Sequence, residues 1–299
     1  MIEKYYSGVI EQIYNRIGKE TRNIVMANYS NDFSIENLEV IRRYQSNEDN
    51  VFFAYSEFSY NTLVGAYEPF LDIICNMHRR FIGGSFDDFQ KECGVYYLHR
   101  QVLNSYYETG ECFREETVLL NEVAYEQRRM TMAIADMLKK LSEVKPLMIV
   151  INRFQMASKS SIETIKYLID NPCANIGIVL GVNAIVKGTD STVEVWDRIV
   201  ESLEDRSAIY YIGSAGPLKN NVKTTNDDEL YISMNFEQSI QEASNIMEFL
   251  DFEQARRGCR IIEHKLKFED AWIDEKSLRR FYMVYARTSV LLGEMSKAI

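Results

Sequence analysis

The sequence predicts an α/β fold: a three-layer parallel sheet with helices on both faces, followed by an all-helical segment. Two observations predict the sheet. Short apolar runs recur between residues 24 and 212, and segments with helical spacing separate them. Runs that are apolar on both faces are typical of strands in a covered parallel sheet. A third observation predicts the helical segment, because apolar residues after about residue 235 recur only at helical spacing.

The elements before Pro146 follow from apolar periodicity and from breaking residues. The first helix is indicated by apolar residues at every third or fourth position, namely Ile2, Tyr5, Val9, Ile13 and Ile17. The next predicted elements are a strand at Ile24–Ala27, a helix containing Leu38, Ile41 and Tyr44, and a strand at Val51–Tyr55. Residues 67–145 are then predicted to be mostly helical, with a break at Gly83-Gly84 and an end at Pro146.

After Pro146 strands and helices alternate. The predicted elements are strands at Leu147–Ile151, Ile176–Val182 and Ala208–Ile212, and helices at Ser160–Ile169 and Val193–Leu203. Ser158 and Ser160 are candidate N-caps for the first of these helices. This alternation predicts one parallel sheet that is covered by helices on both sides.

The chain changes character near residue 219. Residues 219–235 are mostly polar and lack clear periodicity, which indicates a linker. Residues 236–299 contain three apolar stripes at helical spacing and are predicted to begin a tetratricopeptide-like helical repeat region. A stacked array cannot leave its last apolar face uncovered, so we expect an N-terminal fragment of a larger protein. The predicted domains are therefore 1–218, the linker 219–235 and the repeats 236–299.

Composition narrows the classes of function. The chain has 299 residues and a net charge of −10, which disfavours a surface for nucleic acid or for anionic membranes. The apolar runs are too short to cross a bilayer, and the N-terminus lacks a signal-peptide core. Five scattered cysteines without a C-x-x-C pair favour reduced structural thiols and a cytoplasmic location over a disulfide framework or a metal site.

Four phrases in order resemble one family. They are RNIVMANYSNDFSIENL (22–38), GAYEPFLDII (65–74), PLMIVINRFQMASKSSIETIKYL (146–168) and IYYIGSAGPL (209–218). Over residues 5–218 the chain resembles the AAA-related P-loop ATPase module of STAND-type signalling proteins. The third phrase is the most specific, because Ala157, Ser161, Ile165 and Leu168 match the family's frame. The resemblance implies a phosphate loop after the first strand and a magnesium-binding acidic pair at the end of the third.

The chain departs from this family at both positions. A working phosphate loop needs glycines and a lysine, whereas residues 28–35 (NYSNDFSI) contain neither. Asn28, Asn31 and Ser34 occupy the degenerate phosphate-loop positions, where Asp32 would repel phosphate and Phe33 and Ile35 would fill the space. The acidic pair is replaced by Asn152 and Arg153. Without these groups phosphoryl transfer has no route.

These departures predict a pseudo-ATPase with no catalytic residue, no cofactor and no metal. Arg153 could bind an anion or form an ion pair with Asp32 or another carboxylate; the ion pair is the commoner fate of such a side chain. The predicted function is a non-catalytic sensor or regulatory module of a multidomain bacterial-type signalling protein. Its partners would be an output domain of the same polypeptide and a protein bound by the repeats, with a homodimer also open. The alternative is a divergent switch that binds ATP or ADP with little or no hydrolysis.

Overall fold

A computed structural model describes residues 2–29, 38–46, 50–59, 63–114, 118, 121–183, 190–205, 208–212, 235–268 and 273–293. These residues form an α/β fold around one five-stranded, all-parallel sheet. The strands are β1 (Ile24–Tyr29), β2 (Phe52–Glu57), β3 (Leu147–Asn152), β4 (Ile176–Asn183) and β5 (Ile209–Ile212). Every predicted strand is present. The strand order is β2-β3-β4-β1-β5.

Eleven α-helices occur within the described residues. They are α1 (Ile2–Arg16), α2 (Glu39–Ser46), α3 (Phe70–Met77), α4 (Phe86–Glu92), α5 (Tyr97–Thr109), α6 (Val123–Val144), α7 (Lys159–Asp170), α8 (Asp190–Glu204), α9 (Phe236–Glu248), α10 (Phe252–Phe268) and α11 (Glu275–Leu291). The break predicted at Gly83-Gly84 separates α3 and a following π turn (His78–Ile82) from α4. Of the two candidate caps of α7, Ser158 is the N-cap and accepts a hydrogen bond from the Ser161 N–H.

Helices cover both faces of the sheet. The connection from β1 to β2 runs in the opposite direction to the connections from β2 to β3, β3 to β4 and β4 to β5. Because parallel crossovers are right-handed, α2 lies on one face and α6, α7 and α8 lie on the other. The first helix, α1, packs on the same face as α2, and the Tyr14 and Tyr44 rings stack 3.9 Å apart. The architecture therefore fits a three-layer α/β fold.

Two glycines in β4 bring α1 close to the sheet. A Cβ on Gly177 would lie 2.8 Å from Cδ1 of Ile17, and a Cβ on Gly181 would overlap the Tyr6 hydroxyl. The buried face of α1 consists of Tyr6, Val9, Ile10 and Ile13. The sequence-based assignment of Tyr5 to this face was wrong, since Tyr5 is 61% exposed. A strict spacing from Ile2 selects Tyr5, but it is the Tyr6 ring that fills the space above Gly181 and is fully buried.

The helices after residue 235 share one core with the sheet unit. The Phe249 ring packs edge-on against the rings of Tyr67 and Tyr106. The Asn245 side chain accepts a hydrogen bond from the Cys112 N–H at 2.9 Å and donates one to the Gly110 carbonyl at 3.0 Å. These contacts hold α9 against residues 67–112, the stretch from the segment before α3 to the segment after α5. Most of the predicted linker and the end of the predicted repeat region lie outside the described residues.

Candidate functional site at the carboxyl edge of the sheet

The candidate site is the edge of the sheet where β1, β3 and β4 end. Ligands of open parallel sheets bind beyond the carboxyl ends of the strands, where neighbouring connections leave in opposite directions. In this sheet that point lies between β1 and β4, because the chain leaves β1 toward β2 and leaves β4 toward β5. Tyr29 and Asn183 pair across it in the ladder.

The two strands that the resemblance assigns to phosphate and magnesium are joined by a hydrogen bond. The Tyr29 hydroxyl at the end of β1 donates to Oδ1 of Asn152 at the end of β3, over 2.6 Å. Both side chains are fully buried. The bond passes over Gly181 of β4, where a Cβ would lie 2.8 Å from the same Oδ1. Asn152 thus bonds to the protein itself at the position of the family's magnesium aspartate.

Tyr6 closes this cluster from the side of α1. Its ring meets the Tyr29 ring edge-on, with the centroids 6.1 Å apart. Burial, followed by the neighbouring Tyr29, raises the pKa of Tyr6 well above its ordinary value of 10.0. The phenol is therefore neutral at physiological pH. We use the name tyrosine cluster for Tyr6, Tyr29, Asn152 and Gly181.

Arg153 follows β3 and turns its side chain toward β2. Its backbone is left-handed, with φ at 55°. The guanidinium lies 3.0 Å from the Glu57 carboxylate at the end of β2 and donates to the Phe58 carbonyl at 3.4 Å. Of the two interpretations of Arg153, the described contacts match the ion pair. The carboxylate is that of Glu57, whereas Asp32 lies outside the described residues.

The other predicted positions divide into described and undescribed residues. Asn28 is fully buried within β1. Asn31 and Ser34, together with Asp32, Phe33 and Ile35, lie outside the described residues. The structure therefore brings Asn28, Asn152 and Arg153 to one edge of the sheet.

Three polar residues of this edge were not found from the sequence: Tyr29, Glu57 and Gln155. Gln155 is 2% exposed and accepts a hydrogen bond from the Asn183 backbone N–H at 3.3 Å. Glu57 neutralises Arg153. The available signal was positional, because each of these residues lies at or just after the end of a strand, where a parallel sheet gathers its polar groups.

The second and third family-like phrases contact each other. The Tyr67 N–H donates to Oγ of Ser160 at 3.0 Å, and Oγ of Ser161 donates to the Glu68 carbonyl at 2.7 Å. Ser161 belongs to the frame that carries the resemblance, and its side chain is fully buried. This serine therefore has a structural task, since it fixes the segment before α3 to the first turn of α7.

The chemistry available at this edge is limited. Asn152 offers an amide where metal-assisted phosphoryl transfer requires a carboxylate, and Glu57 is paired with a guanidinium. Among the described residues, no group of three or more His, Cys, Asp or Glu side chains is placed to hold a metal ion. At the described edge, the two groups that could serve a phosphate or a metal, Asn152 and Arg153, are instead bound to Tyr29 and Glu57.

Comparison with known proteins gives no family assignment. No family model matches the chain, and no curated protein matches it. No helix in the described part of the chain has the length and apolarity needed to cross a membrane.

Proposed function

We propose that this chain is a non-catalytic regulatory module, a pseudo-ATPase whose α/β unit passes a signal to an output domain through its helical segment. The observation that carries the proposal is the hydrogen bond between Tyr29 and Asn152. It joins the strands to which the resemblance assigns the phosphate loop and the magnesium site, and it occupies the side chain that would have to face a metal.

The ion pair between Arg153 and Glu57 supports the same proposal. A guanidinium beside the carboxyl ends of the strands could attract phosphate, but here a carboxylate neutralises it at 3.0 Å. An arriving nucleotide would have to displace Glu57 and leave that carboxylate, which is 17% exposed, without its partner. Binding of a triphosphate is therefore opposed by both charge and burial.

The packing of α9 supports a regulatory role for the helical segment. The contacts of Asn245 and Phe249 connect α9 to residues 67–112, a stretch that overlaps the family-like phrase at 65–74. Movement of that region would therefore change the contacts of α9. In this proposal the helices after residue 235 transmit the signal, and a conformational change in the sheet unit is the signal that they transmit.

A nucleotide titration tests the proposal. The chain is titrated with labelled ATP and labelled ADP, each with and without magnesium, and phosphate release is followed in parallel. We expect no saturable binding below about 100 μM, which corresponds to roughly −5.5 kcal/mol, and no release of phosphate above the protein-free rate. A functional P-loop ATPase serves as the positive control.

Two outcomes would contradict the proposal in different ways. Saturable binding without phosphate release would instead support the divergent nucleotide-binding switch. Release of phosphate that is lost on chelation of magnesium would reveal an active ATPase. Repeating the titration with Tyr29→Phe, which frees Asn152 from its hydroxyl donor, shows whether the tyrosine cluster excludes nucleotide.

A further inference from the structure

The contact between α9 and residues 63–68 brings two carboxylates together. Glu242 of α9 and Glu68 both approach Gly65, since a Cβ on Gly65 would lie 2.6 Å from Oε1 of Glu242 and 3.3 Å from Oε2 of Glu68. Oε2 of Glu68 also accepts a hydrogen bond from the Gly65 N–H at 2.8 Å. Two carboxylates this close repel each other unless one of them holds a proton.

Residues 63–68 are fixed to the sheet unit and touched by the helical segment. Oγ of Ser161 in α7 donates to the Glu68 carbonyl at 2.7 Å. From the other side, Nε2 of Gln254 in α10 donates to the Val64 carbonyl at 3.2 Å. The contact therefore joins the helical segment to the sheet unit. Repulsion between the two carboxylates acts across this contact and pushes α9 away from a segment that α7 holds in place.

The titratable groups nearest to Glu242 supply no positive charge. Asp72 of α3 is a third carboxylate, and the Tyr106 hydroxyl of α5 donates to it at 2.9 Å. Burial, followed by nearby carboxylates, raises the pKa of Tyr106 and of the Cys112 thiol, so both stay neutral at pH 8. Within the part of the chain that the structure describes, neither Glu68 nor Glu242 pairs with a cation.

The remaining acidic groups around this contact have cationic partners, and the contact is open to solvent. Glu57, at the end of β2, lies 3.0 Å from Arg153, and Glu248, further along α9, lies 3.0 Å from Arg287. A crevice of about 390 Å³ runs between the end of β2, residues 63–68 and α9, and the two unpaired carboxylates contribute to its lining. Solvent protons can therefore reach these two groups while the protein stays folded.

We propose that the contact between α9 and residues 63–68 is a pH switch, tight while Glu68 and Glu242 share a proton and loose when both are ionised. Loss of the proton places a second negative charge at a largely buried contact that has no compensating cation among the described residues. Withdrawal of α9 from Gly65 relieves this repulsion. Because α10 and α11 pack against α9, they move with it.

The pKa values of the pair give the direction of the switch. Burial, followed by Glu68 and Asp72, raises the pKa of Glu242 from 4.5 to about 7. Burial also raises the pKa of Glu68, while the Gly65 N–H opposes the rise and Asp72 adds to it. Because the folded-state pKa of Glu242 is raised, the proton stabilises the contact fully below about pH 4.5, and this stabilisation is lost as the pH rises through about 7.

Hydrogen exchange of the whole chain tests the switch. Each exchange rate is converted to a protection factor, which removes the dependence of the exchange chemistry itself on pH. A group with a pKa near 7 changes an opening equilibrium about tenfold between pH 6 and pH 8, so we expect the protection factors of α9 to fall about tenfold. At both pH values the amides of β3 should be better protected than those of α9, because the opening leaves the sheet folded.

Matched variants assign the pH dependence to the pair. Glu242→Gln should abolish the tenfold change and keep the protection of α9 high at pH 8. Glu68→Gln removes the neighbouring charge but leaves Glu242 buried, so it should move the midpoint of the change at least about half a pH unit lower. Glu237→Gln, an exposed change in the first turn of α9, is the control and should keep both the tenfold change and its midpoint.

Three results would overturn the inference. They are protection of α9 that does not change between pH 6 and pH 8, an unaltered tenfold change in Glu242→Gln, and equal protection of α9 and β3, which would mean that α9 is released only by global unfolding. If Glu242→Gln fails to fold, an unshifted midpoint in Glu68→Gln overturns the inference instead. None of these results depends on the nucleotide titration, so the switch and the pseudo-ATPase proposal can fail separately.

Discussion

The carboxyl edge of the sheet and the interface between α9 and the segment before α3 both bury acidic groups. Only the edge pairs its acidic group with a cation among the described residues. At the edge, Glu57 meets Arg153 at 3.0 Å. At the interface, Glu68 and Glu242 both approach Gly65, and a Cβ there would lie 3.3 Å from a Glu68 oxygen and 2.6 Å from a Glu242 oxygen.

No cation compensates this second pair within the described residues, and Asp72 adds a third negative charge from α3. Its carboxylate accepts a hydrogen bond from the Tyr106 hydroxyl at 2.9 Å. The edge pairs its acidic group with a cation, whereas the interface brings carboxylates together that repel one another. Removal of a charge should therefore destabilise the edge and stabilise the interface.

Removal of Arg153 should produce the largest effect on stability. Arg153→Ala removes the cation beside the partly buried Glu57, which keeps the hydrogen bond from the Tyr55 hydroxyl, and we expect a loss of about 3 kcal/mol in the free energy of unfolding. Denaturant titration at pH 7 measures this loss. Arg153→Lys, which keeps the charge but loses the planar fork, should lose less. Equal losses for the two variants would show that the ion pair with Glu57 does not stabilise the edge.

Neutralisation of Glu242 should raise the free energy of unfolding, whereas removal of Arg153 should lower it. Burial, followed by the charges of Glu68 and Asp72, raises its pKa from 4.5 to about 7. Because this folded-state pKa is raised, the stabilisation from the proton is complete below about pH 4.5 and is lost as the pH rises through about 7.

Glu242→Gln should therefore raise the free energy of unfolding at pH 8 by about 2 kcal/mol and flatten its dependence on pH between 5 and 8. Denaturant titrations at several pH values measure both effects. Glu237→Gln, an exposed change in the first turn of the same helix, is the control and should alter the pH dependence little. A Glu242→Gln variant that is less stable at pH 8 would mean that the carboxylate is not repelled at this interface.

Removal of the Tyr29 hydroxyl should produce the smallest of the three effects. Tyr29→Phe keeps the ring but leaves Oδ1 of Asn152 buried without this donor, and we expect a loss of about 1 kcal/mol. Thermal unfolding measures the change. Tyr14→Phe, whose ring stacks on Tyr44 beside the sheet, is a matched control that leaves the edge intact. An unchanged melting temperature for Tyr29→Phe would show that this hydrogen bond does not stabilise the edge.

Apolar periodicity in the sequence predicted the strands and helices of the fold, but it did not predict which elements pack together. Runs such as Leu147–Ile151 lie within one residue of the observed strand, because a strand covered on both faces has an unmistakably apolar composition. The strand order was not predicted, since apolar runs carry no information about which strands pair. The buried position of Tyr6 was missed because Tyr5 and Tyr6 are adjacent and identical, and the spacing from Ile2 selects the first of them.

The candidate site was predicted only in part. The sequence placed Asn28, Asn152 and Arg153 at strand ends, and the structure brings them to one edge. Tyr29 was overlooked because a tyrosine at the end of an apolar strand looks like an ordinary core residue. Glu57 was overlooked because the strand was predicted to end at Tyr55, two residues early. Glu68 and Glu242 lie close together although they are far apart in the chain, and no local sequence pattern predicts this contact.

The tyrosine cluster has a consequence for substitutions at this edge. Suppose that a single substitution placed an aspartate at position 152. The Tyr29 hydroxyl already points at that side chain from 2.6 Å, and a charged acceptor would form a stronger hydrogen bond with it than the amide does. The phenol would bind one oxygen of the new carboxylate and leave the other oxygen for further partners. Tyr29 therefore sets in advance the direction that any acidic side chain at position 152 would take.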